Sequence, residues 1–340
     1  MGEQHSELAI IGAGNWGTTL ALVQARVGRP VLLCCREDAH ARQLQTMREN
    51  TRSLPGYTLP EEVQVVAGYS AAVTTPFVLL ALPSEHLRGV CRQLSPVLSP
   101  DQVLVCATKG LERASSLRMS QVISGELPSL AARLCTLSGP NLANEIAADL
   151  PAAAVLASTH HDSAQGAVAA LATSRFRLYT SDDVIGVELG GAMKNVVAVV
   201  AGICDGLALG TNSKAAIVTR GMSEIVRLGR ACGADPLTFS GLSGYGDLFA
   251  TCVSTLSRNH FVGVQIGHGR ALPEILGEMT MVAEGVSTAK AAYDLAAQCG
   301  VEMPITEQVC AVLFAGKHPR DAMEDLLSRL PRSERTGELL

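Results

Sequence analysis

The chain has 340 residues, too long for a single hydrophobic core of ordinary size, which points to two domains. A hydrophobic share of 47% with only 17% charged residues excludes a disordered chain. The net charge of -5 gives no reason to expect nucleic acid or an acidic membrane as partner. An anionic substrate therefore requires a local cluster of Lys and Arg working against the overall field. The opening "MGEQHSELAI" has no basic region followed by a long apolar stretch, so no secretory signal is expected. No apolar run of the ~18 residues that a membrane span needs is read. The ten cysteines show no C-x-x-C pair and no metal-like spacing, so free thiols in a reducing cytoplasm are expected.

In chain order, "LAII" (8–11) reads as a short buried strand ending at a glycine cluster, with helical periodicity from Thr18 to Val27. "PVLLCC" (30–35) is a second buried strand and "EDAHARQLQTMREN" (37–50) an amphipathic helix. "PFVLLALPS" (76–84) is a third strand, stopped by Pro83. "QVLVCATKG" (102–110), "RLCTLSGP" (133–140), "AAAVLAS" (152–158) and "FRLYTSDD" (176–183) follow, with helical segments between. Near-continuous apolar strands alternating with helices predict an α/β domain with a doubly wound, mostly parallel sheet covered on both faces. Beyond Ser181 the strand-like runs stop and nearly everything reads as helix. The predicted division is 1–181 for a dinucleotide-binding domain and 182–340 for an all-helical domain, ending in a frayed polar tail.

"IIGAGNWG" supplies G-x-G-x-x-G as Gly12, Gly14 and Gly17, between a buried strand and a helix. In that context Gly12 allows the tight turn, Gly14 lets a pyrophosphate approach the backbone, and Gly17 lets helix and strand pack closely. The helix N-terminus offers N–H groups to the phosphates. Asn15 and Trp16 sit between the glycines, the indole serving either as a wall for the cofactor or as ordinary packing. An acidic residue about 20 positions past the turn would select NAD; the occupant here is Arg36, followed by Glu37 and Asp38. An arginine suits the 2′-phosphate of NADP, so NADPH is expected to be used at least as well as NADH. The alternative is a solvated arginine beside two carboxylates.

"ELGGAMKNVVAVVAGI" (188–203) is an apolar helix carrying one lysine, Lys194, one turn after Gly190 and Gly191. Helical side chains lean toward the N-terminus, so Lys194 reaches over those glycines. Each costs about 1 kcal/mol relative to alanine, which makes sense if something occupies the space beside the amine, either a neighbouring helix or a ligand. Burial among Met193, Val196 and Val197 would lower the amine pKa toward the range of a general acid/base, with a nearby carboxylate as compensation. Lys109, in "ATKG", and Gly139, Asn141 and Ala143, in "SGPNLANE", follow strand C-termini, where ligands of open parallel sheets collect. Asp247 lies in "GLSGYGDLFATC", and Ser257, Arg258 and Asn259 resemble a helix start able to hold a phosphate. "VAEGVSTAK" (282–290) opens a further helix with Glu284. The histidines, including His86 and His160–His161, have neither triad nor metal spacing and receive no role.

Together these segments resemble the NAD(P)-dependent glycerol-3-phosphate dehydrogenase family. The resemblance rests on "GAGNWGT", "ATKGLE", "SGPNLANEIA", "IGVELGGAMKNVVAVVAGICDGL", "GDLFATC", "SRN", "VAEG" and "VEMPITEQV", in family order from about residue 8 to 330. Position 15 is often serine in the family and position 141 serine or threonine; Asn15 and Asn141 keep the hydrogen-bonding ability. The resemblance implies a Rossmann domain joined to an all-helical domain, usually as a homodimer in the cytoplasm, with the active site in the cleft between them. It implies Lys194 as proton donor and acceptor, with Lys109 and Asp247 as further catalytic groups. Substrate contacts would fall on Lys109, Gly139, Asn141, Lys194, Asp247, Ser257, Arg258 and Asn259. Dinucleotide contacts would fall on Asn15, Trp16, Arg36, Lys109, Ala143, Arg258, Val282 and Glu284 beside the three glycines. The cofactor is NADPH/NADP or NADH/NAD with no metal, and the substrate dihydroxyacetone phosphate or sn-glycerol 3-phosphate, for glycerophospholipid precursor synthesis. Two alternatives stand beside this reading. One is a related reductase acting on a carboxylate substrate, such as a hydroxyacid dehydrogenase or ketopantoate reductase. The other is a non-catalytic dinucleotide sensor, against which both lysines argue.

Overall fold

The computed structural model describes residues 6–279 and 282–329. The opening MGEQH and the predicted polar tail at 331–340 lie outside the described residues. The chain divides into two compact units. The first holds the chain up to Thr108 together with Met119–Val184; the second holds Lys109–Arg118 and the chain from Ile185 onward. Sequence reading divided the chain at one point, near Ser181; the excursion at 109–118 is additional.

The first unit is built on an eight-stranded sheet. Its strands are β1 (Leu8–Ile11), β2 (Val31–Cys35), β5 (Val63–Ala67), β6 (Phe77–Leu80), β7 (Val103–Cys106), β8 (Leu134–Ser138), β9 (Ala152–Ala157) and β10 (Phe176–Ser181). A separate antiparallel pair joins β3 (Glu49–Asn50) to β4 (Leu54–Thr58). The helices are α1 (Asn15–Ala25), α2 (Asp38–Met47), α3 (Ser84–Leu94), α4 (Met119–Glu126), α5 (Ala143–Ala147) and α6 (His161–Leu171). The spatial order is β10-β9-β8-β7-β6-β1-β2-β5. β1, β2 and β8 are buried at every residue, as expected of strands covered on both faces. From β1 the chain winds outward through β2 to β5, then returns to β6 on the other side of β1. The strand order therefore reverses between β1 and β6, where such sheets bind ligands beyond their carboxyl ends.

Three features differ from the predicted pattern. α2 stops at Met47, because Arg48 adopts a left-handed conformation (φ 51°) and turns the chain into β3. The edge strand β5 was not anticipated. β9 pairs antiparallel to β8, so β9 and β10 run against the other six strands. The link from Gly139 to Pro151 contains one helix of five residues. At ~1.5 Å per residue that helix is too short to carry the chain back along β8, so β9 begins near the end where β8 finishes.

The described part of the second unit is helical: α7 (Val184–Gly206), α8 (Gly210–Ala231), α9 (Asp247–Val253), α10 (Arg258–Gly267), α11 (Leu272–Glu278), α12 (Glu284–Gln298), α13 (Pro304–Phe314) and α14 (Pro319–Leu327). A π-helical turn, Leu242–Gly246, leads directly into α9. α7 is the axis of this unit's core, with Val196 to Val200 at most 3% exposed. By length and composition alone α7 is long and apolar enough to cross a membrane, although Glu188 and Lys194 interrupt its apolar run. Its apolar window is 83% buried inside the protein, so that hydrophobicity serves the core of the unit. The excursion 109–118 belongs to this core: Leu111 joins the α7 cluster, and Arg118 pairs with the buried Glu188 of α7 at 2.5 Å. All ten cysteines are free, including the buried neighbours Cys34 and Cys35.

Candidate active site

In the first unit the glycine-rich turn leaves β1 beside β6, and each glycine has a distinct physical reason. Gly12 has φ +112°, and a Cβ there would lie 2.5 Å from the Ala81 carbonyl oxygen at the end of β6. A Cβ on Gly17 would lie 1.9 Å from the Gly12 carbonyl oxygen, so only glycine lets α1 close onto the turn. At Gly14 a Cβ would meet open space, which is the place a pyrophosphate would take. Gly14 is the extended residue before α1 and has no side chain to cap the first-turn N–H groups.

Asn15, the first residue of α1, donates to Asn144 Oδ1 at 3.3 Å, and its own buried Oδ1 has no partner among the described residues. The neighbouring Ala143 opens α5, and its carbonyl accepts from Thr19 Oγ1 at 3.4 Å. The sequence left two readings for Trp16: its ring packs edge-on against Phe176, centroids 6.2 Å apart. Arg36 follows β2 and is 62% exposed, its guanidinium paired with Glu37 at 2.8 Å. Gly139 backs against Ala154, whose Cα is 2.8 Å from where a Cβ would sit. Both amide atoms of Asn141 are buried without a partner among the described residues. The orphaned Asn15 oxygen and the open space beside Gly14 fit a dinucleotide.

In the second unit, three of the predicted residues meet in one cluster. Asp247 is 1% exposed and accepts from Lys194 Nζ at 2.8 Å through Oδ1 and from Lys109 Nζ at 2.6 Å through Oδ2. The two lysines are 11% and 17% exposed. Two ammonium groups on one carboxylate leave a net positive charge. Burial is the main force on Lys109 and outweighs the attraction of Asp247; with repulsion from Lys194 it pushes this amine down to about 8.

The glycine beside Lys194 has a packing explanation. A Cβ at Gly190 would lie 2.6 Å from the Ser243 carbonyl oxygen, so the π-helical turn seats directly on α7 there. That close approach brings Asp247, just after the turn, within reach of Lys194. The space at Gly190 is thus filled by backbone, the plainer of the two alternatives, while still serving the lysine.

Sequence reasoning missed Thr251. It lies one helical turn after Asp247 on the same face of α9, accepts from Lys194 Nζ at 2.7 Å and donates to the Asp247 carbonyl at 2.6 Å. The i, i+4 spacing was the available signal.

Ser257, Arg258 and Asn259 do form a helix start. Ser257 caps α10, its Oγ accepting from the His260 N–H at 3.2 Å. Arg258 donates to the Val282 carbonyl at 2.8 Å, which brings two predicted dinucleotide residues together near Glu284, the first residue of α12. The Asn259 amide is a bridge: Nδ2 donates to Asn195 Oδ1 of α7, and Oδ1 accepts from the Gly285 N–H, both at 2.8 Å. Asn195, adjacent to Lys194, is a second residue that sequence reasoning did not single out. Among the described residues no group of three His, Cys, Asp or Glu side chains is placed to hold a metal.

A Rossmann-type sheet with this glycine turn, and a helical unit with a buried lysine pair on one carboxylate, define an NAD(P)-dependent dehydrogenase. Residues 7–164 match the NAD-dependent glycerol-3-phosphate dehydrogenase N-terminus and residues 183–324 match the C-terminus of the same family. Glycerol-3-phosphate dehydrogenase [NAD(P)+] from Geobacter metallireducens is 48% identical over 98% of this chain and 100% of the relative. The enzyme of that name from Chlorobium luteolum is 44% identical over 96% and 99%. The crystal structure of glycerol-3-phosphate dehydrogenase from Coxiella burnetii superposes with a TM-score of 0.91 at 37% identity, covering 95% of this chain and 98% of that one. The chain belongs to the glycerol-3-phosphate dehydrogenase [NAD(P)+] family.

Proposed function

We propose that the chain catalyses the reversible reduction of dihydroxyacetone phosphate to sn-glycerol 3-phosphate, a glycerophospholipid precursor, with Lys194 as proton donor and acceptor. The cluster of Lys109, Lys194, Asp247 and Thr251 supports this reading. An ammonium has three donors, and Lys194 directs two of them to Asp247 Oδ1 and Thr251 Oγ1. The third is available to a substrate carbonyl oxygen. Bound NAD(P)H supplies the hydride. Lys194 gives its proton to the oxygen on which negative charge develops and recovers one in the reverse direction. Lys109 adds positive charge beside that oxygen, and Asp247 fixes the geometry of both amines. The orphaned amide of Asn141, with Gly139, is assigned to the substrate.

The substrate phosphate is assigned to the α10 start, where the Arg258 guanidinium and first-turn N–H groups favour an anion. The dinucleotide is assigned to Gly12, Gly14, Asn15, Trp16, Gly17, Arg36 and Ala143 in the first unit, and to Lys109, Arg258, Val282 and Glu284 in the second. The family resemblance adds a homodimer and a cytoplasmic location to the proposal.

The test is Lys194→Ala, assayed by NADPH oxidation with dihydroxyacetone phosphate and with a keto acid. A fall in kcat of ~10² or more, with the KM for NADPH within about twofold, is expected. A variant as active as the parent, or a preference for the keto acid, overturns the reading.

A further inference from the structure

α10 begins with the residues assigned above to the substrate phosphate, and its fourth residue counted from the Ser257 cap is His260. This imidazole is 11% exposed, and its Nε2 lies 2.6 Å from Asp205 Oδ2. Asp205 stands near the C-terminal end of α7, the helix that carries Lys194. The same carboxylate oxygen accepts from Lys214 Nζ at 2.7 Å, near the start of α8. Burial opposes ionisation of Asp205, but the bonds from Lys214 and His260 outweigh it and hold its carboxyl below the usual carboxylate range. An ionised carboxylate only accepts, so Nε2–H is the donor.

The backbones beneath this pair are in close contact. A Cβ at Gly202 of α7 would lie 2.1 Å from the His260 carbonyl oxygen, and one at Gly263 of α10 would lie 2.0 Å from the Val199 carbonyl oxygen. Side chains cannot intervene there, so the direction of α10 relative to α7 is governed by what its first turn is tied to. Among the described residues two side-chain bonds tie the first turn of α10 to α7: Asn259 to Asn195, and His260 to Asp205. The first joins the helix start to the residue beside Lys194. The second fixes rotation of the helix start about the glycine contact. His260 also supplies the backbone N–H that Ser257 caps.

We infer that His260, held by Asp205, is a positioning residue for substrate-phosphate binding: it sets the α10 start at a fixed place relative to Lys194 without touching substrate. This inference rests on the proposed assignment of the phosphate to Arg258.

The test uses the full chain, with dihydroxyacetone phosphate varied and inorganic phosphate as a competitive inhibitor. His260→Ala should raise the KM for dihydroxyacetone phosphate and the Ki for phosphate by the same factor, about tenfold. Its kcat should stay within about threefold and the KM for NADPH within about twofold. Asp205→Ala should do the same, and the double variant should be no worse than either single one, because the two residues act as a unit. His260→Gln, whose amide can donate to Asp205, should recover most of the loss. General damage to the fold would instead move kcat and the NADPH constant as well, and that result overturns the inference. So do unchanged phosphate constants in His260→Ala, or in Asp205→Ala should His260→Ala not fold. Arg258→Ala separates the two readings: if it raises both phosphate constants while the His260 and Asp205 variants do not, the phosphate assignment stands and the positioning role falls. If Arg258→Ala changes neither constant, both fall.

Discussion

Gly190→Ala adds one methyl group to a helix at a place where alanine is intrinsically favoured by about 1 kcal/mol. The new Cβ would stand 2.6 Å from the Ser243 carbonyl oxygen, 3.1 Å from its carbonyl carbon and 3.3 Å from Gly244 Cα. All three are backbone atoms, so no side chain can swing aside. Ordinary contact begins at 3.4 Å. The π-helical turn must therefore retreat by ~0.8 Å, an overpacking strain of roughly 1–3 kcal/mol that outweighs the helix-propensity gain. Asp247 follows directly, and its 2.8 Å bond to Lys194 would open to about 3.6 Å, past hydrogen-bonding distance, if the shift were passed on in full. We expect calorimetry to show a lower melting temperature. We expect kcat/KM for dihydroxyacetone phosphate to fall by ~10 to 100-fold, as sub-ångström misplacement of a catalytic group does. A variant that melts at or above the parent temperature with full activity would refute the reasoning that Gly190 seats Asp247.

Two further outcomes follow from the electrostatics. Because burial pushes the Lys109 amine down to about 8, its charge is present below that pH and lost above it. The rate of ketone reduction should therefore decline as pH rises through about 8. Lys109→Arg, which stays charged, should remove that decline at some loss of kcat; a profile from pH 6.5 to 9.5 that is identical in the two proteins sinks the assignment. Arg36 is exposed and paired only to its neighbour Glu37 among its described partners, so its side chain can be replaced with little effect on the fold. Arg36→Ala should lower kcat/KM for NADPH by ~10-fold while leaving NADH within about twofold. Equal losses with both cofactors would remove Arg36 from the 2′-phosphate.

The parts of this protein that were legible in its sequence are those coded by local pattern. Runs such as "VLLCC" are apolar at every position because both faces of the sheet are covered, and the glycine spacing of the turn encodes a contact within six residues, that of Gly17 with the Gly12 carbonyl. β5 was missed because it is an edge strand whose burial alternates, and it follows a segment broken by Pro55, Gly56 and Pro60. The reversal at β9 was invisible because apolarity does not encode strand direction.

The lysine cluster was legible only in pieces. Lys194 stood out as a charge in an apolar helix, yet its carboxylate lies 53 residues away and the second amine 138 residues from that carboxylate. No spacing rule joins such residues; the family resemblance did. Gly190 reads in the sequence as space for either a neighbouring helix or a ligand; which of the two fills it depends on the π-helical turn, for which the sequence carries no local signal. The grouping of 109–118 with the helical unit was equally hidden, since Leu111 and Arg118 meet their partners only in the folded core.

That excursion orders events during synthesis. Lys109 emerges from the ribosome 138 residues ahead of the carboxylate that will hold it. At roughly 10 residues per second the amine spends on the order of ten seconds without its counter-ion. The helical core thus draws on residues that lie outside a contiguous C-terminal fragment. A polypeptide begun at Ile185 would leave Glu188 without Arg118, Asp247 with one amine instead of two, and the place of Leu111 unfilled.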